Sequence, residues 1–176
     1  ILRNCKISQE SSIVESIEKD FDELDKSGKI DVMRFIASYR DDHYIPFFIR
    51  NFRDIEWIVR KFAANSLIDF GDDAMIYLDE YIFSDNPDVS YWSYYCKIIL
   101  SSEDNILFLK DVVRENKFFE IRKLALRRLC ILNNPAASDI ITHILENGDS
   151  DLKNTIYENC ISNSCFNDIL QKYPKN

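Results

Sequence analysis

DIEWIVRKFAANSLIDFGDDAMIYL, residues 54–78, is the stretch that decides the fold. Ile58, Val59, Phe62, Ala63, Leu67 and Phe70 fall close to the i, i+3/i+4, i+7 spacing of a helix with one buried face. Gly71 then ends that helix, because a residue without Cβ enters the left-handed conformation at little cost. Asp72 or Asp73 is expected to cap the next helix by accepting its orphan backbone N–H groups. That second helix runs through Met75, Leu78, Ile82 and Phe83 until Asn86-Pro87, where proline cannot continue it. The stretch therefore reads as two helices joined by a tight turn.

The same unit recurs along the chain. Lys29, Arg60, Tyr91, Arg122 and Lys153 stand 31 residues apart. Seven positions further on, the column reads Ile36, Leu67, Ile98, Leu129 and Cys160, all apolar. Eleven positions after the first column comes a turn column, Arg40, Gly71, Ser102, Asn133 and Ser164. Phe47, Leu78, Leu109 and Ile140 or Ile141 align in the second half of the unit. A fixed period of this length is the mark of stacked repeats. The spacing predicts helices over 89–100, 105–114, 118–132, 137–146, 152–161 and 166–173, with Ser101-Ser102-Glu103 and Asn134-Pro135 starting two of them. Three Gly and four Pro are too few for a hairpin-rich fold. The class is all-α.

Residues 54–78 resemble a HEAT repeat through Val59-Arg60, the small pair Ala63-Ala64, Leu67, Gly71, Ala74 and Leu78. Residues 119–145 resemble it again through Ile121-Arg122, Ala125, Leu129, Ala136 and Leu145. The likeness covers roughly residues 29–173 and is weaker where Tyr94-Tyr95 replace the usual small residues. The short step is similar to that of compact bacterial HEAT-like repeats, including those of phycobilin lyases. The resemblance implies a right-handed α-α superhelix, a solenoid of about five two-helix repeats over residues 29–176. Residues 1–28 are out of register. Ile13, Val14, Ile17, Phe21 and Leu24 lie on one face of a helix that would cap the first repeat or link to an upstream domain.

Composition narrows the partners. The formal charge is −8, which disfavours nucleic acid, since phosphate neutralisation supplies most of that affinity. No run of 18 apolar residues occurs, so no membrane span is expected. The chain opens at Ile1 without Met, which suggests a trimmed or mature fragment of a larger protein, and its richness in Ile, Asn, Lys and Asp suggests a bacterial one. Cys5, Cys96, Cys130, Cys160 and Cys165 are an odd number. Cys96, Cys130 and Cys160 lie in apolar pattern and read as free thiols packed as small hydrophobes, which points to a reducing, cytoplasmic setting.

The motifs that suggest chemistry resolve into caps and turns. Glu23, Asp25, Ser27, Gly28 and Ile30 resemble a calcium loop, but the closing twelfth position is Arg34, a cation. Gly28 is read instead as a helix stop. Asp41-Asp42-His43 reads as a cap, and His143 stands in another repeat. Cys160 and Cys165 lack further zinc ligands at suitable spacing. No metal, cofactor or catalytic residue is assigned.

Two surface features remain. Lys123 and Arg127 are i, i+4 neighbours in a basic stretch with Arg122 and Arg128, preceded by Arg114 and Lys117. It reads as a solvated face or a docking patch. The other feature is aromatic: Tyr91-Trp92-Ser93-Tyr94-Tyr95 cover every direction of one helix, and Tyr77 and Tyr81 lie one turn apart. Second helices of HEAT repeats usually line the concave, partner-binding face. Trp57, Tyr77, Tyr81 and Tyr91, with Arg60 and Arg122, are therefore the expected contact residues for a protein or peptide partner. Arg60 and Arg122 have an alternative reading as struts to Asp side chains of neighbouring repeats. The expected function is a non-enzymatic interaction scaffold; a HEAT-like phycobilin lyase or DNA glycosylase is the alternative.

Overall fold

The computed structural model describes residues 20–160 and 164–175. Among them there is no strand, and ten α-helices follow one another. They are α1 (Lys26–Ala37), α2 (Ile45–Arg50), α3 (Trp57–Ile68), α4 (Asp72–Tyr81), α5 (Pro87–Leu100), α6 (Ile106–Glu115), α7 (Phe119–Leu132), α8 (Ser138–Asn147), α9 (Ser150–Cys160) and α10 (Asn167–Lys172). The all-α reading holds. The chain forms two compact units, one through Cys96 and one from Lys97, the division falling within α5. In the first unit α1 packs along α3, and α2 packs on both α3 and α4. In the second, α6 packs along α7, α7 along α9, and α8 against α9.

The columns read from the sequence are physical. Ile36, Leu67, Ile98, Leu129 and Cys160 are each fully buried. Phe47, Leu78, Leu109, Ile140 and Ile141 are buried as well. In the turn column, Arg40, Gly71 and Asn133 have φ of 51°, 60° and 50°. These are the positive-φ residues of the described chain, whereas Ser102 in the same column is extended with φ of −106°, so the turns share a register but not one backbone conformation. Asn133 ends α7 in the left-handed conformation, which an Asn side chain tolerates.

Gly71 differs in detail from the expectation. Its ψ of −129° lies outside the left-handed helical well, in a region that glycine alone enters readily. It is also the residue that precedes α4, and neither Asp72 nor Asp73 caps with its side chain. Both carboxylates sit in the first turn, where the positive end of the helix dipole favours them. A Cβ at Gly71 would meet nothing within 4 Å, so replacement by alanine strains the backbone and little else. Gly71→Ala is expected to cost about 1–3 kcal/mol, read as a lower midpoint in urea unfolding. An unchanged or higher midpoint would show that the turn relaxes.

Gly28 is a correction. It does not stop a helix; it lies in the first turn of α1, where its N–H donates to Asp25 Oδ1 at 2.8 Å. Asp25 is thus the cap of α1 and is committed to that role. The Asp41-Asp42-His43 cap follows the sequence, with Asp41 Oδ1 accepting from His43 N–H at 2.9 Å; two further caps were not read from it, Asn86 Oδ1 accepting from Val89 N–H at 3.1 Å and Asn134 Oδ1 from Ala136 N–H at 2.9 Å. The capping or linker helix over 1–28 lies mostly outside the described residues. Of its apolar face, Phe21 is fully buried in a 3-10 turn (Phe21–Glu23), edge-on to Phe47 with centroids 5.1 Å apart, and Leu24 is exposed.

The cysteine reading is also corrected. Cys130 and Cys160 are not free: they form a disulfide between α7 and α9, with Cα atoms 5.1 Å apart. In sequence each looks like a core hydrophobe, and each is fully buried, so burial was legible and pairing was not. Cys130 and Cys160 therefore give no sign of a reducing compartment. Cys96 does remain a free, buried thiol, donating weakly to Ala64 O at 3.5 Å, and burial pushes its pKa well up.

Candidate partner-binding trough

Of the six expected contact residues, the structure brings two together. Tyr77 and Tyr81 project from the same side of α4, one turn apart, toward α2. Tyr77 lines a hollow of about 390 Å³ with His43, Pro46, Phe47 and Arg50. Tyr81 lines a second, of about 190 Å³, with Pro46, Ile49, Arg50, Arg53 and Val89. Pro46 and Arg50 border both, so the two hollows form one trough along the α2–α4 seam. Among the described residues the side chains of Tyr77 and Tyr81 make no hydrogen bond and no ring contact. Tyr77 is 38% exposed and Tyr81 half-buried.

The floor explains why α2 can present these groups. Ile45, Phe47, Phe48 and Ile49 are buried, Pro46 takes the first turn where its missing N–H is no loss, and Arg50 and Arg53 are left facing solvent. Asn51, 4% exposed, ties the end of α2 by donating from Nδ2 to Phe47 O at 2.8 Å. The sequence reading missed Arg50 and Arg53. The clue was an i, i+3 pair of arginines closing a short apolar helix, in a run so hydrophobic that it read as core alone.

The other four expected residues lie elsewhere. Trp57 opens α3, 55% exposed, with the Lys61 ammonium 5.4 Å from its ring centre. Tyr91 is half-buried on α5 and meets Trp92 edge-on, and Trp92 meets Tyr95 likewise. Arg60 acts as a strut. Its Nη1 donates to Asp54 O at 2.6 Å and to Ile55 O at 3.1 Å, and its Nε lies 3.7 Å from Asp88 Oδ1, an ion pair too long for a hydrogen bond. Arg122 Nε donates to Val113 O at 2.8 Å, tying α7 to α6. Lys29, in the same 31-residue column, pairs with Asp54 at 2.6 Å in a largely buried contact. For Arg60 the strut reading through an Asp holds; for Arg122 the acceptor is backbone.

The basic stripe dissolves in the same way. Arg128 donates twice to Ser101 O, at 2.9 and 2.6 Å, closing the end of α5. Arg114 pairs with Asp139 at 3.1 Å, and Lys123 lies 3.9 Å from Glu120. Of the four stripe residues from Arg122 to Arg128, Arg127 alone has no partner among the described residues.

Asp139 sits between Lys110, 2.6 Å away, and Arg114, tying α8 to α6. Partial burial pushes its carboxyl up, but the Lys110 hydrogen bond, the Ile140 N–H and the two cations outweigh that and hold it below the usual value. A depressed carboxylate stabilises the fold above its unfolded pKa of about 3.9 and loses that contribution as pH falls through the folded value. At 56% side-chain exposure the pair is worth about 0.5 kcal/mol or less. Asp139→Asn should therefore lower the melting midpoint slightly at neutral pH, with the gap closing below about pH 4. A gap that widens on acidification contradicts the assignment.

A further hollow of about 470 Å³ lies in the second unit, lined by Lys153, Tyr157, Lys172, Tyr173 and Lys175 among others. Both tyrosines and two of the lysines are engaged internally. Tyr157 Oη donates to Tyr173 O at 2.8 Å, Tyr173 Oη bonds Glu146, and Lys172 and Lys175 sit over the Tyr173 and Tyr157 rings. It is the seat of the segment after α10.

Among the described residues no group of three or more His, Cys, Asp or Glu could hold a metal ion, and no helix is long and apolar enough to cross a membrane. No protein-family model matches the chain, and a search of the curated proteins finds no match.

Proposed function

We propose that the chain is a non-enzymatic interaction module of the HEAT-like kind, a right-handed superhelix of short two-helix repeats that holds a protein or peptide partner in the α2–α4 trough. Support for the repeat reading is the packing of α1 on α3 and of α7 on α9, first helices of successive repeats, with α2 on α4 as second helices. The buried columns and the positive-φ turns at one spacing support it too. The observation that carries the binding reading is the Tyr77–Tyr81 pair, whose side chains have no partner among the described residues and stand beside solvent-facing arginines. Tyrosine at such places gives large contact area for little lost rotamer entropy, and with arginine it dominates interface hot spots.

The test sets this reading against its enzymatic alternatives. The purified chain is incubated with a bilin, followed by visible absorbance, and with labelled DNA, followed by gel shift. Neither should form a complex, whereas peptides selected from a random display library should lose binding to a Tyr77→Ser/Tyr81→Ser variant. A stoichiometric tetrapyrrole complex, or selected peptides that ignore the double substitution, would overturn it.

A further inference from the structure

We propose that the occupant of the trough is an extended segment of a partner protein with carboxylates at alternate positions and apolar side chains between them. This rests on the interaction-module reading and adds the chemistry of the partner. Charge is the first argument. The chain carries −8, yet no Asp or Glu lines either hollow, where Arg50, Arg53 and His43 do. Several cations of this protein meet an acid across the fold: Lys29 with Asp54, Arg60 with Asp88, Lys110 and Arg114 with Asp139. Arg50 and Arg53 are both exposed and form no ion pair among the described residues. A guanidinium held beside an aromatic floor, with its fork free, is suited to take a carboxylate through two parallel hydrogen bonds.

Spacing is the second argument. Arg50 ends α2 and Arg53 ends the 3-10 turn Asn51–Arg53, so they stand three residues apart in tightly wound backbone. At a rise of about 2 Å per residue that is about 6 Å. Alternate side chains of an extended peptide are about 6.6 Å apart on one face. Two carboxylates at positions i and i+2 therefore reach both arginines without bending the peptide, and the residue between them points to the other wall. Tyr77 and Tyr81, i and i+4 on α4, lie about 6 Å apart along that wall. Nucleic acid also has anionic spacing of this order, but two arginines on a strongly acidic protein offer too little phosphate neutralisation to hold it.

The experiment is fluorescence anisotropy with a labelled synthetic peptide alternating glutamate and leucine, against the same peptide with glutamine for glutamate. The glutamate peptide should bind at least about tenfold tighter, and the preference should shrink as salt is raised. Arg50→Glu with Arg53→Glu should abolish it, and Arg50→Gln with Arg53→Gln, milder at exposed positions, should weaken it by about tenfold or more. Lys172→Glu with Lys175→Glu makes the same charge change in the other unit and should leave the affinity within about twofold. Equal binding of the two peptides, equal damage from the lysine pair, or equal competition by a thymidine oligonucleotide overturns the proposal. So does failure of the glutamate peptide to bind. That failure leaves the interaction-module reading to its own test, in which library-selected peptides of any sequence and the bilin and DNA arms decide.

Discussion

Replacing Phe21 with alanine should lower the stability of the N-terminal unit by about 3–5 kcal/mol, the range for emptying a fully buried aromatic site. Phe21 has no exposed surface, packs edge-on against Phe47, and carries the Lys29 ammonium 5.7 Å from its ring centre. Phe47 in turn meets Phe48, and Phe48 meets Phe70. Phe21 is therefore the first member of an aromatic chain that runs from outside the repeat register into the α2–α3 core. The check is urea unfolding of Phe21→Ala followed by tryptophan fluorescence from Trp57 and Trp92. A loss under about 1 kcal/mol would mean that Phe21 does not close the core. Phe21→Leu, which refills part of the volume, should recover much of the loss.

Reduction of the Cys130–Cys160 disulfide should cost the C-terminal unit about 3–4 kcal/mol, because the bond closes a loop of sequence separation 30 that the unfolded chain otherwise explores freely. In a unit of this size that corresponds to a fall in melting midpoint of more than about 10 °C. Both sulfurs are fully buried, so reductant reaches them only when the unit opens, and the folded protein should resist it for much longer than a denatured one. Alkylation of the denatured, unreduced protein should label Cys96 and Cys165 and spare Cys130 and Cys160. Labelling of Cys130 and Cys160, or a midpoint indifferent to reductant, contradicts the clamp.

These two expectations mark how far the sequence could be read. Ile36, Leu67, Ile98, Leu129 and Cys160 were legible as one buried column because a helix returns the same face at a fixed step, and burial follows face. Arg40, Gly71 and Asn133 were legible as turns by their place between two apolar helical patterns, and they share a positive φ although Gly71 and Asn133 differ in ψ. The disulfide was not legible, since a cysteine in an apolar stripe is indistinguishable from valine until two helices are placed side by side. Gly28 misled because Asp25-Lys26-Ser27-Gly28 satisfies two local rules, helix stop and helix start, and the Asp25 cap decides between them. The candidate site was half legible. Tyr77 and Tyr81 stood out by spacing, but Arg50 and Arg53 join them only through the packing of α2 on α4, a contact between residues nearly a whole repeat apart. Arg60 and Arg122 show the converse. Their residue type advertised a surface and their geometry spends it on carbonyl groups within the fold.

The most direct measurement is hydrogen–deuterium exchange of the full chain with and without saturating glutamate–leucine peptide. Protection is expected in residues 43–53 and 72–83, the two walls of the trough, with residues 150–175 unchanged. Protection centred on 150–175, or none on either wall while the peptide is bound, would contradict the account.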